Sequence, residues 1–123
     1  MPQNRTAPLV QGQNLSLAAN TFFDDDVTAT DVLVQTGPTL LHGAEIHNAT
    51  GAVAFAVFFN AAAIADVTIG TTVPDLVIGL IANGNASRDF STPVSFPLGL
   101  VIASLTTTNG SSGAAQDFSL QYS

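Results

Sequence analysis

The chain has 123 residues, with two Arg, no Lys and nine Asp or Glu, which gives a formal net charge of −7. An acidic chain without Lys repels phosphate, and this argues against direct binding to nucleic acid. Charged residues make up only 9% of the chain, against roughly a quarter in an average soluble domain. A surface so poor in charge is typical of a subunit in an assembly.

The chain contains no cysteine, which excludes disulfides, thiol nucleophiles and thiolate zinc sites. Its length predicts one domain with a sizeable core. No stretch approaches the roughly 20 apolar residues of a membrane helix. Because no apolar run follows Arg5, no signal peptide is indicated, and we expect synthesis in a cytoplasm without a membrane partner.

The first 30 residues have no regular hydrophobic periodicity. Short alternations predict a brief strand at 14–18 and an edge piece at 21–23. We interpret residues 1–30 as an extended N-terminal arm with little regular structure, and residues 31–123 as the folded domain. We expect the arm to dock on a neighbouring subunit, with contacts from Arg5, Leu9 and Val10.

From residue 31 onward the pattern is that of short strands separated by Gly, Pro and Asn turns, such as Gly37-Pro38 and Asn83-Gly84. The alanine run 61–65 favours a helical turn but is too short for a lasting helix. The sequence therefore predicts an all-β antiparallel β-sandwich, of the jelly-roll form. The predicted strands are 31–35, 39–48, 52–60, 67–69, 75–82, 86–91, 94–96, 99–107 and 115–122. In the last strand, the alternation predicts that Phe118, Leu120 and Tyr122 face inward and that Asp117, Ser119 and Gln121 face outward.

The strand at 52–60 carries no charge on either face, which predicts that both faces are covered. We expect the sandwich core to cover one face, formed by Val53, Phe55, Val57 and Phe59. The other face is then left for a contact between subunits. That predicted oligomer or capsid interface consists of Ala52, Ala54, Ala56 and Phe58.

A succession of short motifs resembles a group of small tailed-bacteriophage structural proteins over roughly residues 37–123. The motifs are a Leu-Leu-His-Gly strand ending on an Asn, a Thr-Gly turn, an aromatic-rich strand, a Gly-Thr-x-x-Pro loop, a Gly-Leu strand followed by Thr residues, and a last Tyr. In this chain they lie at Leu40–Gly43, Asn48, Thr50-Gly51, 54–59, Ile69–Pro74, 97–103, Leu105–Thr107 and Tyr122.

The resemblance implies a virion component with a β-sandwich fold, a capsid decoration (cement) or head-fibre protein without enzymatic activity or cofactor. We expect it on the surface of the phage head, as a homo-oligomer, with a trimer favoured, bound to the major capsid protein. One alternative is a tail or neck component. Another is a glycan-binding module on the virion surface, which the lack of Trp and the single Tyr argue against.

Three adjacent carboxylates, Asp24, Asp25 and Asp26, form a candidate Ca²⁺ site. Three consecutive residues of an extended chain cannot all face one ion, and the spacing is not that of an EF-hand. The favoured interpretation is a solvated acidic loop, so no metal is assigned.

His42 and His47 are the only two histidines. Five residues apart on one strand, they are predicted to point to opposite faces, so they can share a metal only if the strand bulges. Glu45 is predicted to share a face with His47. We interpret this pair as an exposed polar patch, because general acid–base catalysis needs a pocket and a third orienting group.

Overall fold

The structure is a computed structural model that describes residues 20–123, and it confirms an all-β sandwich of two packed antiparallel sheets. Within residues 20–123, eight strands form the two sheets, and one 3-10 turn, Ile64–Asp66, lies between the fourth and fifth strands. The strands are β1 Asn20–Val27, β2 Val32–Thr36, β3 Thr39–Asn48, β4 Ala54–Asn60, β5 Leu76–Leu80, β6 Asn85–Phe96, β7 Gly99–Leu105 and β8 Gln116–Tyr122.

Each sheet has four strands. Sheet 1 has the order β1-β8-β3-β6, and sheet 2 has the order β2-β7-β4-β5. Every connection except the one from β4 to β5 carries the chain from one sheet to the other. Strands that are distant in the sequence therefore become neighbours, and the termini of the described region meet where β1 pairs with β8.

The core lies between the sheets and is built from the inward side chains of both. The rings of Phe58 in sheet 2 and Phe118 in sheet 1 meet with their centroids 6.0 Å apart and tilted by 47°, a favourable aromatic geometry. Phe118 and Leu120 are buried, as the alternation in β8 predicts. Other fully buried members of this core are Leu41, Phe96, Leu100 and Ile102.

The predicted boundary between arm and domain at residue 31 is wrong. β1 begins at Asn20 and pairs with β8 as an edge strand of sheet 1, so the sandwich includes residues that we assigned to the arm. The acidic run predicted as a loop lies within β1, at a register shift between Asp24 and Val27. The rest of the predicted arm, with the predicted strand at 14–18, lies outside the described residues.

The two segments predicted at 86–91 and 94–96 form one long strand, β6. The pairing jumps from Leu41 opposite Val94 to Gly43 opposite Asp89, so β6 bulges over residues 90–93. Pro93 lies in this bulge, and proline has no N–H to donate to the ladder. The proline therefore interrupts the pairing without ending the strand.

Gly99 opens β7 at a point where three chain segments meet. Its φ is +146°, and a Cβ at this position would lie 2.5 Å from the carbonyl oxygen of Ala61 and 2.6 Å from that of Gln35. The Gly99 carbonyl also accepts a hydrogen bond from the Ala61 N–H at 3.1 Å. Only glycine fits this position without moving the backbone.

We predict that Gly99→Ala lowers the free energy of unfolding by roughly 2–4 kcal/mol, because it adds backbone strain and two clashes. Gly51→Ala is the matched control, since a Cβ there meets no atom within 4 Å, and its effect should stay within about 0.5 kcal/mol. Urea unfolding of both variants measures the difference. Equal unfolding midpoints would contradict the backbone geometry at Gly99.

Candidate functional site

The two faces of β4 are reversed relative to the sequence prediction. Ala54, Ala56 and Phe58, predicted as an oligomer or capsid interface, are fully buried, and Ala56 and Phe58 belong to the core between the sheets. Ala52 is exposed and precedes the strand. Because neither face carries a charge, the alternation alone could not tell which face turns inward.

The outer face of sheet 2 carries Phe55, Val57 and Phe59, which we expected in the core, whereas Val53 is exposed and precedes β4. The strand register arranges nine of its positions in three rows across the sheet, and none of them is polar or charged. Such a face cannot stay in contact with water without cost. The rows are Leu33, Val101 and Phe59; Ala103, Val57 and Val77; and Leu105, Phe55 and Gly79.

Residues 61–75, which we call the cover segment, fold over part of this face. Ala61 and Val67 are buried in a second apolar cluster with Val57, Phe59 and Val101. The segment contains the 3-10 turn, which overlaps the alanine run 61–65 where the sequence favours a helical turn. The strand predicted at 67–69 is absent from the described chain.

The cover segment is tied to the sheet at both ends. At its start the Ala61 N–H donates to the Gly99 carbonyl. At its end the Asp75 N–H donates to the Phe58 carbonyl at 2.9 Å, and the Asp75 carboxylate accepts from the Asn60 N–H at 2.7 Å. These bonds anchor an irregular segment to β7 at its start and to β4 at its end, so it is part of the folded sandwich.

Some apolar side chains remain exposed, both on the cover segment and on the strands beside it. We call the exposed set the apolar rim. Its members are between 37% and 72% exposed, and they come from both edges of sheet 2 and from the cover segment itself. They are Leu33, Ile64, Val73 and Val77.

The outer face of sheet 1 is polar, and it holds both histidines. The register of β3 shifts between Leu41 and Gly43, which marks a β-bulge. The extra residue shifts the in-and-out alternation of the side chains by one position. His42 therefore lies on the same face as Glu45 and His47. The prediction that the two histidines point to opposite faces is therefore wrong, while the prediction that Glu45 and His47 share a face is confirmed.

Each histidine has a different partner. The His42 Nε2 atom lies 2.9 Å from the Ser123 hydroxyl oxygen. The His47 Nδ1 atom donates to the Asn85 Oδ1 atom at 2.5 Å, because an amide oxygen can only accept. Within residues 20–123, no group of three His, Asp or Glu side chains is arranged to hold a metal ion.

Two adjoining cavities, of about 320 and 390 Å³, lie on this face and share Glu45 and Ser87 in their walls. We call them together the sheet 1 groove. Sequence reasoning missed most of its residues, although the outward alternation in β8 indicates Asp117 and Ser119. The groove is lined from four strands by Phe23, His42, Glu45, His47, Asn85, Ser87, Asp89, Asp117, Ser119 and Gln121, among others.

The three carboxylates of the acidic run do not converge on one point. Asp24, Asp25 and Asp26 lie along β1, where the Asp26 N–H donates to the Asp24 Oδ1 atom at 2.9 Å. Arg5, Leu9 and Val10 lie outside the described residues. In the part of the chain from residue 20 onward, no helix has the length and hydropathy needed to traverse a bilayer.

Comparison with protein-family models, with curated proteins and with solved structures gives no significant match to this chain. The geometry distinguishes an apolar outer face on sheet 2 from a polar, grooved outer face on sheet 1.

We predict that Phe58→Ala lowers the free energy of unfolding by about 3–5 kcal/mol, because it opens a cavity between the sheets. Phe23 is 67% exposed on the outer face of sheet 1, so Phe23→Ala is the matched control and should change stability by about 0.5 kcal/mol or less. Denaturant unfolding followed by circular dichroism provides the comparison. A larger loss for Phe23→Ala would overturn the assignment of the faces.

Proposed function

We propose that this chain is a non-enzymatic virion structural protein that decorates the outer surface of a phage capsid and stabilises the head. The observation that carries the proposal is the apolar rim on the uncharged outer face of sheet 2. The motifs that resemble small phage structural proteins point in the same direction. The proposed partner is the major capsid protein.

The energetics of the apolar rim favour attachment in many copies. Covering one partly exposed Leu, Ile or Val side chain contributes on the order of 1 kcal/mol. Four such side chains give a weak contact for a single subunit, since association itself has a substantial entropic cost. A capsid shell presents the same site many times. When subunits that are linked to each other bind neighbouring sites, each bound copy raises the effective concentration of the next, so the overall attachment is stronger than a single contact.

We propose a homotrimer as the attached form, so that three copies of the apolar rim are available at once. The N-terminal arm, in this proposal, extends the contact through Arg5, Leu9 and Val10. The net charge of −7 makes the packaged nucleic acid an unsuitable partner. Mass photometry of the purified protein measures the oligomeric state.

We assign the sandwich to the jelly-roll class. The support is a nested set of antiparallel pairs in which β1 pairs with β8, β2 with β7, β3 with β6 and β4 with β5. This is the pattern of one long hairpin wound into two sheets, as in an eight-stranded jelly roll.

The test of attachment uses two leucines of matched exposure on opposite faces. Leu33 is 39% exposed on sheet 2 and Leu40 is 41% exposed on sheet 1. We predict that Leu33→Asp reduces co-sedimentation with undecorated capsids by at least about tenfold, because it places a charge in an apolar contact. Leu40→Asp should bind like the unmodified chain.

Two controls make this comparison decisive. Both variants must show unchanged circular dichroism and thermal unfolding before binding is measured. The unmodified chain should also raise the temperature at which capsids open. Absence of binding by the unmodified chain, or equal binding by both variants, would defeat the proposal. A low copy number per particle would instead support a tail or neck component.

A further inference from the structure

Capsid attachment through sheet 2, as proposed above, does not use the groove on the outer face of sheet 1. We propose that the sheet 1 groove binds a neutral saccharide. If sheet 2 faces the shell, this groove faces the medium, but the inference depends only on the groove itself and not on the attachment.

The groove owes its shape to small residues between large ones. One row of the register runs across the sheet from Phe23 to Ser119, Glu45 and Ser87. The two serines keep the floor low, while Phe23 and Glu45 rise on either side of Ser119. The row beside it, Asp117, His47 and Asn85, continues the wall.

The groove is also long enough for more than one sugar ring. The two cavities extend along β3 from His42 to His47, a distance of about 16 Å at roughly 3.3 Å per residue. Gly43 allows the Gln121 amide to lie against β3 in the second cavity, because a Cβ there would lie 2.8 Å from the Gln121 side-chain oxygen. An extended, open trough of this kind fits a chain molecule that lies along a strand.

The polar groups in the groove match the hydroxyl groups of a saccharide. Carboxylates accept hydrogen bonds from hydroxyls, and amides both donate and accept. The contact between His47 and Asn85 uses Nδ1 and Oδ1, so it orients both side chains. The Asn85 Nδ2 and His47 Nε2 atoms are not used in this contact, and the Asp117 side chain lines the same cavity.

The lack of Trp and the single Tyr, which argue against a glycan site, are offset by Phe23, whose exposed ring supplies the apolar element that a sugar site needs. Its ring borders the cavity that contains His47, Asn85 and Asp117 and is largely exposed. An exposed ring beside convergent polar groups is the usual composition of a small-molecule site. The apolar C–H face of a pyranose can pack on such a ring while its hydroxyls reach the polar wall.

The charge of the groove selects the class of saccharide. Its walls contain the carboxylates of Glu45, Asp89 and Asp117, with Arg88 as the only cation among the described lining residues. A chain of net charge −7 adds to the negative potential. Sialylated, sulfated and phosphorylated glycans are therefore repelled, and neutral ones remain.

In the experiment, the isotopically labelled full chain is titrated with a panel of neutral oligosaccharides of glucose, galactose, mannose and N-acetylglucosamine. Sialyllactose serves as the anionic comparison. We expect at least one neutral oligosaccharide to shift the amide resonances of Glu45, His47, Asn85 and Asp117. Shifts confined to sheet 2, shifts with sialyllactose alone, or no shift with any member of the panel would overturn the proposal.

Two groove variants and one control identify the site. Phe23→Ala and Asp117→Asn should each weaken binding of the neutral oligosaccharide about tenfold. Ser95→Ala, an exposed change on β6 outside the lining of either cavity, should leave affinity unchanged. All three should unfold at the same denaturant concentration as the unmodified chain. Equal affinity for all three variants would place the binding elsewhere and contradict the inference.

Discussion

The constraint on which this structure depends is that β4 and β7 bury both of their faces. All seven residues of β7 are buried, and β4 turns Ala56 and Phe58 towards sheet 1 and Val57 and Phe59 away from it. A sandwich with only two layers would leave the second pair in water. The cover segment supplies a third layer, and its anchors at Gly99 and Phe58 explain why an irregular stretch is held in place.

The third layer makes the two outer faces chemically different. Sheet 2 presents apolar side chains around an incomplete cover, whereas sheet 1 presents histidine, carboxylate, amide and hydroxyl groups above a grooved surface. An apolar face gains free energy by excluding water against a large partner. A polar groove gains specificity by matching hydrogen bonds to a small one. The proposals assign one role to each face for these reasons.

The sequence predicts the all-β sandwich and most strands, because turn residues and alternation are local signals. It predicts the faces of β8 correctly since Asp117, Ser119 and Gln121 alternate with apolar residues. It fails for β4, where both faces are apolar, and for His42 and His47, whose common face depends on a bulge that only pairing with β6 and β8 reveals. It also misses the sheet 1 groove, because four strands distant in sequence build it.

The most direct test of the account is covalent labelling of the chain by photogenerated carbene, free and attached to capsids, followed by mass spectrometry. Protection should concentrate at Leu33, Ile64 and Val77, which are exposed in the free chain. Phe23 and Leu40 should be labelled equally in both states. Protection of Phe23 and Leu40 with unchanged labelling at Leu33 and Val77 would contradict the assignment of sheet 2 as the attached face.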